Sequence, residues 1–292
     1  MHGKTVLITG GNAGLGHATA TALARLGASV VIAARDEARG RAAVEAINRR
    51  TDATPVRLLL LDLASFASVR AAAERFLDEN PRLDVLINNA GVFAARLEHT
   101  RDGFELQFGV NHLGPFLLSQ LLVPALVAAP APRLVNVASR AHHAADRIDF
   151  DDLRGEKRPY RGWRCYARSK LANVLFTREW SRRFPGIPAH CFHPGTLGTA
   201  IGNKHGPWYV SLAWSLVKPF LPSPERGAAT AVYLASSPAV AGSAGRYFDH
   251  RQRERRPSTL ASDDELARRL WEASEELTAD RRQPPVARSA SD

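Results

Sequence analysis

Thr9-Gly10-Gly11-Asn12-Ala13-Gly14-Leu15-Gly16 is the stretch whose reading decides the fold. It joins a short β-branched run, Lys4 to Thr9, to a segment of helical spacing in which Leu15, Ala18, Ala22 and Leu26 recur. Glycine at 10 permits a tight turn. Gly14 lets backbone come close to a pyrophosphate at the helix N-terminus, where free N–H groups and the helix dipole favour an anion. Gly16 allows close packing of helix on sheet. The spacing is G-x-x-x-G-x-G rather than G-x-G-x-x-G, and it gains meaning from lying between a first strand and a first helix.

Outward from that turn the chain alternates strand and helix. Gly27 closes the first helix as a left-handed cap. Apolar runs follow at Ser29–Ala34, Val56–Leu61, Leu83–Ile87, Arg133–Ala138, Ile187–Phe192 and Arg246–Phe248. Between them helices are expected at Asp36–Arg49, Ser65–Glu79, Thr100–Leu126 (bent near Pro115), Trp163–Phe184 and Pro224–Leu234. A terminal helix is expected over Ser262–Leu277, with Ser262 as N-cap and Glu265 completing a capping box. Ser139 to Gly162 reads as loop. The strands are apolar on both sides, as expected where helices cover both faces of a parallel sheet. Right-handed crossovers then give a doubly wound parallel sheet in a single α/β domain, with ligands bound beyond the carboxyl ends of the strands.

Composition narrows the class. The 292 residues are 45% hydrophobic and carry a net charge of +10. The basic excess is scattered apart from a run at Arg251 to Arg256, and no nucleic-acid module or interleaved aromatics accompany it, so a solvated surface is expected and no nucleic-acid partner. Cys165 and Cys191 form neither a metal-ligand spacing nor a disulfide framework, which fits a reducing cytoplasm and no metal site. The first strand begins almost at Met1, so no signal peptide is expected. No stretch of about 18 uncharged apolar residues occurs, so no transmembrane helix is expected either.

The second strand ends Ile32-Ala33-Ala34-Arg35. Ala34 occupies the position where an acid grips the ribose 2′-hydroxyl of NAD, and the guanidinium of Arg35 suits a 2′-phosphate, which favours NADP(H) over NAD(H). Asp36 reads as the cap of the next helix. Asp62, after the third strand, can accept from an adenine amino group or cap the helix near Ser65. Tyr166-Ala167-Arg168-Ser169-Lys170 reads as helix, where positions i and i+4 share a face and bring phenol and ammonium together. A neighbouring ammonium favours phenolate and would lower the tyrosine's pKa toward what acid–base work needs. Ser139, just after the fifth strand, is placed to hold a substrate oxygen. Asn111, inside a helix, can hold a water or bend the helix.

These pieces together resemble a short-chain dehydrogenase/reductase. The similarity rests on Thr9 to Gly16, Asp62-Leu63, Asn88-Asn89-Ala90-Gly91, Asn111, Ser139, Tyr166 with Lys170, and Pro194-Gly195. Within that family, Val110-Asn-His-Leu-Gly-Pro-Phe-Leu-Leu118, Leu153-Arg-Gly-Glu-Lys157, Ser169-Lys-Leu-Ala-Asn-Val-Leu-Phe-Thr177, His193-Pro-Gly-Thr196 and Leu270-Trp-Glu-Ala-Ser-Glu-Glu-Leu277 are most similar to the retinol dehydrogenase group. The resemblance implies a Rossmann fold and a hydride exchanged between NADP(H) and an alcohol or carbonyl. It makes Tyr166 the general acid/base and has Lys170 bind the nicotinamide ribose and tune Tyr166. Ser139 would orient the carbonyl and Asn111 would position a relay water. Cofactor contacts are expected from Gly10, Asn12, Ala13, Gly14, Leu15, Gly16, Arg35, Asp62, Leu63, Asn88 (which would also brace the central strands), Ala90, Gly91, Tyr166, Lys170, Pro194, Gly195, Leu197 and Thr199.

The domain is expected to span residues 1–279, with a polar, proline-containing tail over 280–292. Pro207 to Leu221 holds two tryptophans, a tyrosine and a phenylalanine between prolines. It reads as part of an apolar substrate lid at about 199–223, the alternatives being a core helix or a membrane-docking element. Expected partners are a small apolar carbonyl or alcohol, peripheral contact with a membrane, and a second copy or three in a homodimer or homotetramer. Family members often pair through the segments at Thr100–Leu126 and Trp163–Phe184. His193 reads as a packed or backbone-bonded histidine, and His142 and His143 as facing solvent or loop. Two other functions stay open: a cofactor-binding regulator with little turnover, and a C=C reductase on the same scaffold.

Overall fold

The computed structural model describes residues 1–51, 54–195 and 223–279. The strands are β1 (Thr5–Thr9), β2 (Ser29–Ala34), β3 (Arg57–Leu60), β4 (Val85–Asn88), β5 (Arg133–Val137), β6 (Ala189–Phe192), β7 (Arg246–Phe248) and β8 (Glu254–Arg255). They form one sheet in the order β3-β2-β1-β4-β5-β6-β7-β8. Every pairing is parallel except β7 with β8. The order reverses between β1 and β4, and a crevice opens at such a switch point, outside the carboxyl ends of the strands. β1, β4, β5 and β6 are buried almost throughout, as their unbroken apolar runs require. β8 is the strand that the apolar pattern did not announce. It lies in the Arg251–Arg256 run and is held by Asp249, whose carboxylate accepts from the Arg251 and Arg253 N–H groups and from Arg255 Nε at 2.7 Å.

Helices cover both faces. On one side α1 (Gly14–Arg25), α2 (Glu37–Asn48) and α8 (Pro224–Ser236) pack on Val6, Ile8, Val30, Ile32, Ile87 and Val135. On the other lie α3 (Phe66–Glu79), α5 (Gly114–Leu121) and α7 (Gly162–Arg183). Asp36 caps α2 as expected, accepting from Arg39 N at 3.0 Å. Gly27 ends α1 with φ +85°.

The continuous helix expected over Thr100–Leu126 is broken. Thr100 Oγ1 accepts from Phe104 N and the Glu105 carboxylate accepts from the N–H groups of Gln107 and Phe108, so helix begins only after Glu105. α4 (Leu106–Phe108) passes into a π-helical turn at Gly109–Leu113, then α5, then α6 (Val123–Val127). Prolines 115 and 124 carry no N–H, and the ladder changes register around them. The terminal helix α9 (Asp264–Thr278) is capped by Asp263, which accepts from Leu266 N at 2.9 Å, and not by Ser262. Ser262 instead donates to the Ser258 carbonyl. The segment after Ser139 contains two 3₁₀ turns, Arg140–Ala144 and Phe150–Asp152.

α9 lies across α5 and α7. Trp271 is buried among Phe116 at 5.0 Å, Phe176 at 5.9 Å and Trp180 at 6.1 Å, with the Arg183 guanidinium 4.8 Å over its ring. A pairing through α5 and α7 would therefore use a surface that includes α9. Among the described residues no helix is long and apolar enough to cross a membrane. The segment expected as a lid at about 199–223, apart from Ser223 at the start of α8, and the tail expected at 280–292 lie outside the described residues.

Candidate active site

The glycine turn sits at the tip of β1. Gly10 and Gly14 have φ +66° and +53°, values that a side chain disfavours. α1 begins with Ala13 as N-cap, which offers no side-chain acceptor, and no acid lies in its first turn. The first N–H groups of a twelve-residue helix are thus left for an anion. Asn89, outside the expected contacts, locks the turn to β4: its amide donates to the Thr9 carbonyl at 2.7 Å, and its N–H donates to Thr9 Oγ1. Leu15 and Leu63 point into the core, so any ligand contact of theirs is through backbone. Asn12 is half-buried and Ala13 exposed.

Arg35 is exposed just beyond β2, and Ala34 is the last residue of that strand. Asp36 is spent on the α2 cap and on Arg39. Asp62 does not cap α3; Ser65 does, accepting from Ser68 N. One Asp62 oxygen accepts from Ala64 N at 3.0 Å and the other faces Arg101 at 3.9 Å. Asn88 is a strut: its amide donates to Ser119 Oγ and to Asn136 Oδ1, both at 2.9 Å, tying β4 to β5 and α5. Ala90 and Gly91 follow β4 at the crevice. Gly195 has φ +81° and donates its N–H to His193 Nδ1 at 3.2 Å, so His193 is backbone-bonded beside Pro194 as expected. Leu197 and Thr199 lie outside the described residues.

Four side chains meet beside β5. Ser139 follows the strand, and its hydroxyl lies on the phenol side of Tyr166, where it acts to hold the phenol's pKa down. Lys170 is buried, donates to the Val137 carbonyl at 3.1 Å, and holds its nitrogen 5.6 Å from the Tyr166 ring centre. A methyl group on Gly91 would come within 3.4 Å of that nitrogen and 3.3 Å of Asn111 Oδ1, so glycine keeps this wall open. Asn111 sits in the π-turn. It accepts from Val92 N at 2.7 Å and donates to Val92 O and Ser169 Oγ, so both its amide hydrogens are committed. Ser169 in turn donates to the Tyr166 carbonyl, joining the π-turn to α7. Proline at 115 leaves the Asn111 carbonyl without a donor at the helical i+4 position.

The electrostatics differ from expectation in one respect. Burial pushes the Tyr166 phenol above its ordinary value, opposed by the Ser139 hydroxyl, where a lowering by the neighbouring ammonium was expected. Burial also pushes the Lys170 ammonium down to about 8. A buried ammonium with one acceptor among the described residues, at the mouth of a glycine-walled crevice, has donors left for the hydroxyls of a ribose. Tyr160 is an anchor, bonded to Glu105, Gln107 and Ala94 O. Among the described residues no three His, Cys, Asp or Glu gather as a metal site.

Sequence reasoning missed three neighbours. Phe93 meets Tyr166 edge-on at 5.9 Å, and the exposed Trp163 lies at 6.0 Å, so apolar rings flank the phenol. His142 is buried, contrary to its expected exposure. Its Nε2 lies 3.2 Å from Ser258 N, which only donates; the ring proton is therefore on Nδ1, which donates to the Ser139 carbonyl at 2.6 Å. Burial pushes its pKa down to about 4, so it stays neutral. His142 thus braces the turn carrying Ser139. His142→Leu should lower kcat/KM by about tenfold while leaving the KM for cofactor unchanged, and His142→Asn, which retains a donor near Nδ1, should recover most of the loss. Steady-state kinetics on the two variants check this; equal losses would remove the bracing role.

The pattern of the short chain dehydrogenase family matches residues 4–150. Retinol dehydrogenase 14 of Homo sapiens is 47% identical over 94% of this chain and 86% of its own, and retinol dehydrogenase 13 of Homo sapiens is 44% identical over 94% and 84%. Among solved structures, an uncharacterised protein from Mycobacterium paratuberculosis is 37% identical with TM-score 0.74, covering 95% of this chain and 94% of its own. A short chain dehydrogenase from Escherichia coli CFT073 complexed with NADPH shares the fold at TM-score 0.68 and 24% identity, covering 86% and 97%. With the switch-point crevice, the glycine turn and the Ser139, Tyr166 and Lys170 cluster, these likenesses establish that the chain belongs to the short-chain dehydrogenase/reductase family, in its retinol dehydrogenase-like part, and is an oxidoreductase of the CH–OH/C=O class.

Proposed function

We propose that the chain is an NADP(H)-dependent oxidoreductase for an apolar aldehyde, ketone or retinoid-like alcohol, working in the cytoplasm. One observation carries the reading: the buried Lys170 ammonium, with one acceptor among the described residues, stands 5.6 Å from the Tyr166 ring beside the wall that Gly91 keeps open. Phe93 and Trp163 around the phenol favour an apolar substrate, as do the retinol-named relatives.

Gly10 to Gly16 and the start of α1 would hold the pyrophosphate, Arg35 the 2′-phosphate, and Lys170 the nicotinamide ribose. Asp62, Ala90 and Gly91 would line the adenosine side, and Pro194, Gly195, Leu197 and Thr199 the nicotinamide side. The bound cofactor supplies or takes the hydride. Tyr166 gives its phenolic proton to the carbonyl oxygen as that oxygen gains charge, or takes it back in the oxidative direction. Ser139 holds the same oxygen through its hydroxyl. Lys170 stabilises the phenolate left on Tyr166. Asn111 returns the proton from solvent through water at its main-chain carbonyl, its side chain being committed to Val92 and Ser169. The apolar segment at 199–223 would close over the substrate. Peripheral membrane contact and assembly into a dimer or tetramer remain part of this proposal.

Incubation with NADPH and a panel of apolar aldehydes tests the activity: the reduced cofactor's absorbance should fall, and its persistence across the panel would reduce the chain to a cofactor-binding protein. Cofactor choice has its own test. Arg35→Ala should raise the KM for NADPH by about tenfold or more, the worth of one charge-assisted phosphate contact, and leave that for NADH within about twofold. Equal changes for the two cofactors would remove the 2′-phosphate role.

A further inference from the structure

On the side of α7 away from Tyr166, the described residues line a cleft of about 300 Å³ that is half open to solvent. α7 and its cap give it Arg161, Arg164, Cys165 and Arg168, which recur at helical spacing as one stripe; Tyr166 and Lys170 lie on another. Phe108, Ile148, Leu153 and the Tyr160 ring supply an apolar floor.

Three carboxylates line the cavity, and each is already engaged. Glu105 accepts from the Gln107 and Phe108 N–H groups and from the Tyr160 hydroxyl. Asp149 is shared by Arg147 at 3.3 Å, Arg158 at 3.5 Å and Arg168 at 3.6 Å. Asp152 accepts from the N–H groups of Glu156 and Lys157. Arg161 and Arg164 are exposed and form no ion pair among the described residues. An apolar floor under two guanidinium groups without an ion pair among the described residues complements an apolar chain ending in an anion.

We propose that this cavity is a second binding site, separate from the hydride-transfer crevice, for a small carboxylate-headed amphiphile. Its head group lies between Arg161 and Arg164 and its chain rests on Phe108, Leu153 and Tyr160. Because its wall is the far side of α7, binding there does not compete with the dinucleotide.

Cys165 reports on occupancy directly. It is one of two cysteines, and the other, Cys191, is fully buried. Alkylation of Cys165 by iodoacetamide, at mildly alkaline pH because burial pushes this thiol up to about 11, is followed by peptide mass spectrometry with NADPH present. Sodium decanoate should slow labelling by about fivefold or more, and decanol at equal concentration should not. Arg161→Glu combined with Arg164→Glu should raise the half-protecting concentration of decanoate by about tenfold, and the milder glutamine pair by about threefold. Both positions are exposed, and an unchanged melting profile shows that a variant is folded. Undiminished protection in the folded charge-reversal variant, equal protection by decanol, or no protection at all would each overturn the proposal.

Discussion

Tyr166→Phe is expected to cut kcat by about a thousandfold or more while NADPH still binds, the loss expected when a positioned proton donor is removed from a carbonyl reduction. The ring remains between Phe93 and Trp163, and Ser139 keeps its 3.2 Å contact with Ala141 N, so the crevice keeps its shape. What disappears is the phenolic hydroxyl beside Ser139, on the ring that Lys170 faces at 5.6 Å. Pre-steady-state mixing with NADPH separates the two effects: cofactor binding persists and turnover does not. A variant retaining a tenth or more of the parent rate would end the assignment of Tyr166 as acid/base.

Lys170→Met should move activity and stability in opposite directions. kcat/KM is expected to fall by about a hundredfold or more, because the variant loses the charge facing a developing phenolate. The cofactor-free protein should become more stable. Burial depresses this ammonium from 10.5 to about 8, so below about 8, where the amine is charged in folded and unfolded chains alike, burying it costs about 3 kcal/mol. Losing its charge-assisted bond to the Val137 carbonyl returns about 2 kcal/mol of that, although the Asn173 amide stays 3.4 Å from the same oxygen. The net gain at neutral pH is about 1 kcal/mol. Between about 8 and 10.5 the folded chain has released a proton that the unfolded chain still binds, so the parent's stability climbs relative to the variant as pH rises through that window. Urea melts of both cofactor-free proteins at neutral and alkaline pH measure the difference. A variant less stable than the parent at neutral pH would contradict the view that this lysine is held at the site against the stability of the fold.

What the sequence disclosed was local. The turn from Gly10 to Gly16 is contiguous, and Tyr166 and Lys170 are one helical turn apart, so spacing alone brought each set together. The position of Ala34 at the tip of β2 and of Arg35 just beyond it was readable because the apolar run ends there. The parts that escaped depend on distant partners. His142 looked like a loop histidine because its roles come from Ser139 on one side and from Ser258, 116 residues away, on the other. Phe93 carries no motif and earns its place only once α7 is packed beside it. The expected helix at Thr100–Leu126 had the right apolar content, but Glu105 set a later start and Pro115 a change of register, and that change is where Asn111 sits. The phenol's pKa went against expectation because burial, which no local pattern reports, pushes it up against the opposing Ser139 hydroxyl.

The most direct test of the central claim follows the hydride itself. NADPH carrying deuterium at its transferable position, given with an apolar aldehyde or retinal, should yield an alcohol bearing one deuterium on the carbinol carbon, as read by mass spectrometry, and Tyr166→Phe should yield almost none. Deuterium found on a saturated C–C bond beside an intact carbonyl, or an equal yield of labelled alcohol from Tyr166→Phe, would contradict the account.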